Sequence, residues 1–125
     1  MKKNKLFKTD NVKKIKNTKG NLFKILSKYH NFFKNFGELY LSEVCPKKFK
    51  GWKFHKKRHQ IITVVSGKVR FFFKKDFDQK KSIYVDVSFP NNPKIIKIYP
   101  KTFYSFECKS KKKALIMNLI NEVVR

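Results

Sequence analysis

Lys53 and His55 stand two residues apart in the stretch from Gly51 to Gly67, GWKFHKKRHQIITVVSG. On an extended strand, residues i and i+2 point to one face, so an ammonium and an imidazole share a surface. An imidazole titrates near neutral pH and can act as a proton-accepting base. A lysine beside it can stabilise a developing oxyanion, and it lowers the pKa of the imidazole by like-charge proximity. The pair therefore points to proton-transfer chemistry. His59 alternates with His55 toward the same face as a weaker candidate nearer the mouth, and His30 reads as surface.

A strand framework must hold this pair. After Gln60 comes an apolar run, Ile61, Ile62, Val64 and Val65, and then Ser66-Gly67, which predicts a tight turn into a second strand. From Gly37 onward, short extended runs alternate with turn residues. The runs are Glu38 to Val44, Phe49 to Phe54, Gln60 to Val65, Lys68 to Lys74, Ser82 to Phe89, Lys94 to Tyr99, Phe103 to Cys108 and Ala114 to Ile120. Strands at this regular spacing predict an antiparallel all-β sandwich or jelly roll. Gly20 to Phe36 carries apolar residues spaced by three and four for part of its length, so a short helix and an edge strand followed by a loop both fit. Residues 1–19 read as a basic N-terminal arm or a peripheral strand, and residues 20–125 as the single domain.

At 125 residues the chain can bury about two thirds of its extended surface and fold around one core. Its formal net charge of +24 invites a nucleic-acid-binding reading. The basic residues are 29 Lys and only 3 Arg, however, and base readout leans on the planar arginine fork. Most of the charge is therefore read as solvated surface, and nucleic acid is not the expected partner. Cys45 and Cys108 have no partner at metal or redox spacing and read as small buried hydrophobes. No apolar run approaches the roughly 20 residues of a membrane helix, and MKKNKLFKTD lacks the apolar core of a secretory signal. The expected compartment is the cytoplasm, with no membrane partner.

With the strands placed, a resemblance emerges. Lys53-Phe54-His55, Gln60 and Gly67 repeat the spacing of the first cupin motif, H-x-H, a Glu five residues on and a Gly seven further. Ile98-Tyr99-Pro100-Lys101-Thr102-Phe103-Tyr104-Ser105-Phe106 resembles the second motif, I-P-P-G-x-W-H-G-F, with Tyr104 in the place of its His. Of the four usual ligand positions only His55 is kept, and His with Lys, Gln and Tyr does not close around a divalent transition metal. The chain thus resembles the metal-free, RmlC-like cupins: the dTDP-4-dehydrorhamnose 3,5-epimerases and the dTDP-sugar ketoisomerases. The likeness runs from about Gly20, through FGELYLSEVCPKKFKGWKFHKK, to ALIMNLINE. The ketoisomerase pattern H-A-H-K-x-x-x-Q is similar to Lys53-Phe54-His55-Lys56-Lys57-Arg58-His59-Gln60.

The resemblance implies a double-stranded β-helix that needs no cofactor or metal. It also implies a nucleotide-sugar substrate, a homodimer and a place in surface-polysaccharide biosynthesis. In the epimerases the base is the His that falls on Lys53, and an opposing Tyr falls near Met117; neither is kept. The ketoisomerases use a His pair at Lys53 and His55, of which the second is kept.

A 4-keto-6-deoxy sugar has acidic C–H bonds beside its carbonyl, and breaking one needs a base and a donor for the enolate oxygen. His55 is the expected base, Lys53 the expected oxyanion partner, and Tyr104 the group that returns a proton or orients the sugar. Lys56, Arg58 and Arg70 are candidates for the diphosphate, Gln60 for the substrate, and Trp52 for a base or sugar face. Tyr40 and Glu43, on opposite faces of one strand, are weak candidates for the pocket wall. Two other readings stand beside the enzyme: a cupin that binds a sugar or nucleotide without turning it over, and a basic nucleic-acid binder.

Overall fold

The computed structural model describes residues 6–122, so residues 1–5 of the basic lead and residues 123–125 lie outside it. Ten strands form among the described residues, and no α-helix. In chain order they are β1 (Phe7–Asn11), β2 (Lys13–Ile15), β3 (Leu22–Lys24), β4 (Glu38–Val44), β5 (Phe49–Phe54), β6 (Gln60–Lys74), β7 (Ile83–Phe89), β8 (Lys94–Ile98), β9 (Phe103–Cys108) and β10 (Ala114–Ile120). Of the two options for residues 20 to 36, the structure has a short strand followed by turns.

The strands build an antiparallel jelly roll. One sheet runs β1-β8-β6-β10-β4, and the other joins β5, β9, β6 and β7. β6 belongs to both. Its first half, from Gln60, pairs with β8 and β10, and its second half, from Gly67, pairs with β7 and β9.

The tight turn expected at Ser66-Gly67 is therefore not formed, because the chain continues as one 15-residue strand. The register against β10 instead shifts between Leu115 and Ile116, the signature of a bulge. Gly67 has φ +89°, and a Cβ there would lie 2.8 Å from Ser110 Oγ and 3.0 Å from Ala114 Cα. Glycine allows both the conformation and the close approach. The bulge also resets the side-chain alternation. Ile62 and Val64 point into the core before it, and Val69, Phe71 and Phe73 after it.

The core between the sheets is closed by Val44, Ile62, Val64, Val69, Phe71, Phe73, Val87, Ile96, Ile98, Phe106 and Ile116. A second apolar cluster lies on the other side of the five-stranded sheet. There Val12 and Phe32, with Phe23, Ile25 and Leu26 beside them, cover Ile61, Ile95 and Leu119. The middle of that sheet is covered on both faces, which is why Gln60 to Val64 of β6 are buried at every position rather than at alternate ones. β1 pairs with β8 along its whole length, and β2 with β3 forms a separate small ribbon. Cys108 is buried as expected, but Cys45 is exposed: it follows the last residue of β4 and starts the turn into β5.

Candidate active site

Strand register puts Lys53 and Tyr104 side by side. Lys53 is the direct partner of Tyr104 in the β5–β9 pair, so both project from the same, inner face. The pairing reaches this register across an irregularity between Lys50 and Lys53, where Gly51 has φ +136°. A Cβ on Gly51 would sit 2.5 Å from Ser105 Cβ, so only glycine lets β5 lie this close to β9.

β5 ends at Phe54, and residues 55–59 form a loop to β6. The loop is pinned at both ends: the Lys101 backbone N–H donates to His55 O at 2.7 Å, and the Asn121 N–H to His59 O at 3.3 Å. His55 is held half-buried at the inner end of this loop. His59 is not on its face. Period-two alternation applies only within a strand, and the loop carries His59 to the far side of the sheet, beside Tyr99, Phe32 and Lys34.

Inside the jelly roll a chain of polar contacts begins at His55. Arg58 Nη2 lies 2.8 Å from His55 Nδ1. His55 Nε2 lies 3.4 Å from Tyr104 Oη, and that hydroxyl donates to Gln60 Oε1 at 2.7 Å. Gln60 Nε2 in turn donates to Asn118 Oδ1 at 2.6 Å. Gln60, Tyr104 and Asn118 are all buried, and hydrogen bonding within the chain offsets the cost of desolvating them. Tyr40, the register partner of Asn118, faces the same interior from β4. Lys53 Nζ stands 5.4 Å over the ring of Phe106.

The electrostatics follow from burial and from neighbouring cations. Burial pushes the pKa of His55 below its ordinary value, and the positive charges of Arg58 and Lys53 push it further down. Lys53 is lowered by burial and by Lys50. Tyr104 is raised far above the ordinary phenol range, chiefly by burial, so it keeps its proton. Tyr40 is raised mainly by burial, against the charge of Arg58. The site therefore favours a neutral imidazole and a neutral phenol.

Of the residues singled out from sequence, Lys53, His55, Arg58, Gln60 and Tyr104 come together. Trp52 and Arg70 do not. Trp52 neighbours Lys53 on β5 and so faces outward, where Lys74 Nζ sits 4.2 Å from its ring. Arg70 alternates with the inward Val69 and Phe71; it forms a two-pronged ion pair with Asp86, at 2.8 and 3.0 Å, and packs on Tyr84. Lys56 is exposed in the 55–59 loop. Met117, where the resemblance sets an opposing Tyr, points away from the interior and lines an apolar groove of about 260 Å³ on the outer face with Leu39 and Leu119. Asn118 had not been singled out. Its signal was present in ALIMNLI, a lone amide within an otherwise apolar strand.

A family model described as FdtA, WxcM-like, C-terminal, matches residues 5–123. The chain belongs to that family. No curated protein matches it significantly in sequence. Among solved structures it is similar to a dTDP sugar isomerase from Desulfovibrio desulfuricans G20, at 24% identity and a TM-score of 0.84, over 95% of this chain and 78% of the other. It is also similar to a mutant of the 3,4-ketoisomerase QdtA from Thermoanaerobacterium thermosaccharolyticum in complex with TDP-4-keto-6-deoxyglucose. That match has 18% identity and a TM-score of 0.80, over 98% of this chain and 85% of the other. A third similar structure is a mutant of ChmJ, a 3'-monoepimerase from Streptomyces bikiniensis, in complex with dTDP, at 7% identity and a TM-score of 0.82, over 100% and 69%. At these identities the structural matches establish a common fold, which is the RmlC-like cupin jelly roll.

Proposed function

We propose that this protein is a dTDP-sugar isomerase that removes a proton beside the ketone of a 4-keto-6-deoxy hexose. The observation that carries the reading is the inward cluster of Lys53, His55 and Tyr104, set in a jelly roll similar to those of proteins named as dTDP-sugar isomerases and epimerases. The chemistry needs a proton acceptor and a donor for the enolate oxygen, and the cluster supplies both. Arg58, on the loop beside His55, and the exposed Lys56 offer positive charge to the diphosphate. Epimerisation and ketone migration both begin with the same proton loss, and the position of the reprotonating acid decides between them.

The test is proton NMR of dTDP-4-keto-6-deoxyglucose with the protein in deuterated water. Loss of the C3 or C5 proton signal is the expected result, and the product spectrum distinguishes an epimer from a migrated ketone. Broadened ligand resonances without exchange would instead identify a binding module. We further propose that the protein works as a homodimer that uses the apolar outer face of β4 and β10, where Leu39 and Leu41 are exposed on an edge strand.

A further inference from the structure

Two side chains at the cluster can in principle take the proton, and the hydrogen bonds around them separate their roles. A guanidinium has donors and no acceptor, so the 2.8 Å contact with Arg58 Nη2 makes His55 Nδ1 the acceptor. The ring proton then sits on Nε2, facing Tyr104 Oη at 3.4 Å. Tyr104 commits its own proton to Gln60, and Gln60 commits its amide to Asn118. Every bond in the chain runs donor to acceptor in one direction, from Arg58 to Asn118. Reversing the His55 tautomer would set an N–H against the guanidinium. The imidazole in this arrangement has a proton to offer at Nε2 and no lone pair to spare.

Lys53 is in the opposite position. It shares the inward face with Tyr104, its Nζ stands over the Phe106 ring, and none of the ion pairs among the described residues engages it. Its side chain stays open to solvent at the edge of the cluster, and its pKa is lowered first by partial desolvation and then by the neighbouring cation Lys50, both of which favour the neutral amine. A lysine in such surroundings is a recognised type of general base.

We infer that Lys53 is the residue that takes the proton from the carbon beside the ketone, while His55, held by Arg58 as the Nε2–H tautomer, donates a hydrogen bond to the developing enolate oxygen. The inference rests on the isomerase reading above and reverses the roles expected from the sequence. In the step, the neutral amine of Lys53 gains the proton and becomes an ammonium. The electron pair of the broken C–H bond becomes the C=C bond of the enolate, and the carbonyl π pair moves onto the oxygen. The reverse step returns a proton from the ammonium to carbon. In deuterated water the ammonium exchanges with solvent, so the returned atom is deuterium.

The experiment measures deuterium incorporation into dTDP-4-keto-6-deoxyglucose by wild type, Lys53→Met and His55→Gln, each checked for a native melting transition, across pH 5.5 to 9. Removal of a general base costs about 10²- to 10⁴-fold, and that loss is expected for Lys53→Met. His55→Gln keeps a donor amide and is expected to retain activity within about tenfold, since an amide N–H can still stabilise an oxyanion. The wild-type rate is expected to keep rising with pH above 7, because Lys53 must lose a proton to act. A rate that levels off below pH 7, or exchange that survives in Lys53→Met and vanishes in His55→Gln, would return the base to His55 and overturn the inference while leaving the isomerase reading intact. Absence of exchange in the wild type at every pH would remove the isomerase reading itself, and the inference with it.

Discussion

Tyr104 is the residue on which the interior hydrogen bonds converge. Its hydroxyl meets His55 on one side and gives its proton to Gln60 on the other. Tyr104→Phe keeps the ring in the core but leaves Gln60 Oε1 buried without its donor. A stability loss of about 1–3 kcal/mol is expected, measurable by urea denaturation, because an unpaired buried acceptor bears its full desolvation penalty. His55 also loses the oxygen that its Nε2 faces, so proton exchange should slow together with the loss of stability. The histidines make stability depend on pH below neutrality. His55 and His59 are both held below the ordinary 6.5, first by burial and then by nearby cations. The unfolded chain therefore binds protons more readily than the folded one in this range. Their contribution is present above pH 6.5 and is lost as pH falls below it. Denaturation curves taken from pH 7.5 down to 5 should show declining stability, and the double variant His55→Gln, His59→Gln should flatten that decline.

β6 is the element that joins the two sheets, and Gly67 is where it crosses between them. The residue has a backbone conformation that side chains rarely adopt, and its missing Cβ leaves room for Ser110 and Ala114. Gly67→Ala is expected to destabilise by on the order of 1–3 kcal/mol through strain and steric contact, read as a lower thermal midpoint. The expected damage reaches the site, because Gln60 and the partners of Tyr104 lie on the same strand, on either side of the crossing. A midpoint equal to that of the wild type would show that the bulge tolerates a side chain.

Across the whole molecule, charge and apolar surface are segregated. Lysines crowd the turns, as in Lys80-Lys81 and Lys111-Lys112-Lys113, while the outer face of β4 and β10 exposes Leu39 and Leu41 beside the apolar groove. Association of two copies through this face would cover those leucines. Light scattering after size exclusion is expected to give a dimer mass for the wild type and a monomer mass for Leu41→Glu. Leu41 is more than half exposed, so the substitution should leave the fold of the single chain intact. A dimer that persists in Leu41→Glu would move the interface elsewhere.

The sequence by itself determined the strand framework from Glu38 onward. Alternating or continuous apolar runs bounded by Pro, Gly, Asn and Lys leave few ways to bury their side chains, and β4, β5, β9 and β10 have the limits those runs predict. It also grouped Lys53, His55, Gln60 and Tyr104 by motif spacing, and the fold brings these four together from β5, the 55–59 loop, β6 and β9. Only the tertiary structure decided the rest. Ser66-Gly67 has the composition of a turn, and whether such a pair reverses the chain or bulges it depends on what the flanking residues pair with, here β10 on one side and β7 and β9 on the other. Trp52 and Arg70 were separated from the site by which way each strand faces, and His59 by a five-residue loop that breaks the alternation. Asn118 joined it through pairing with distant strands, and Arg58 was set on His55 by loop geometry. Spacing along the chain specifies local alternation, whereas the direction of a hydrogen-bond chain depends on donors and acceptors that meet only after the sheets close.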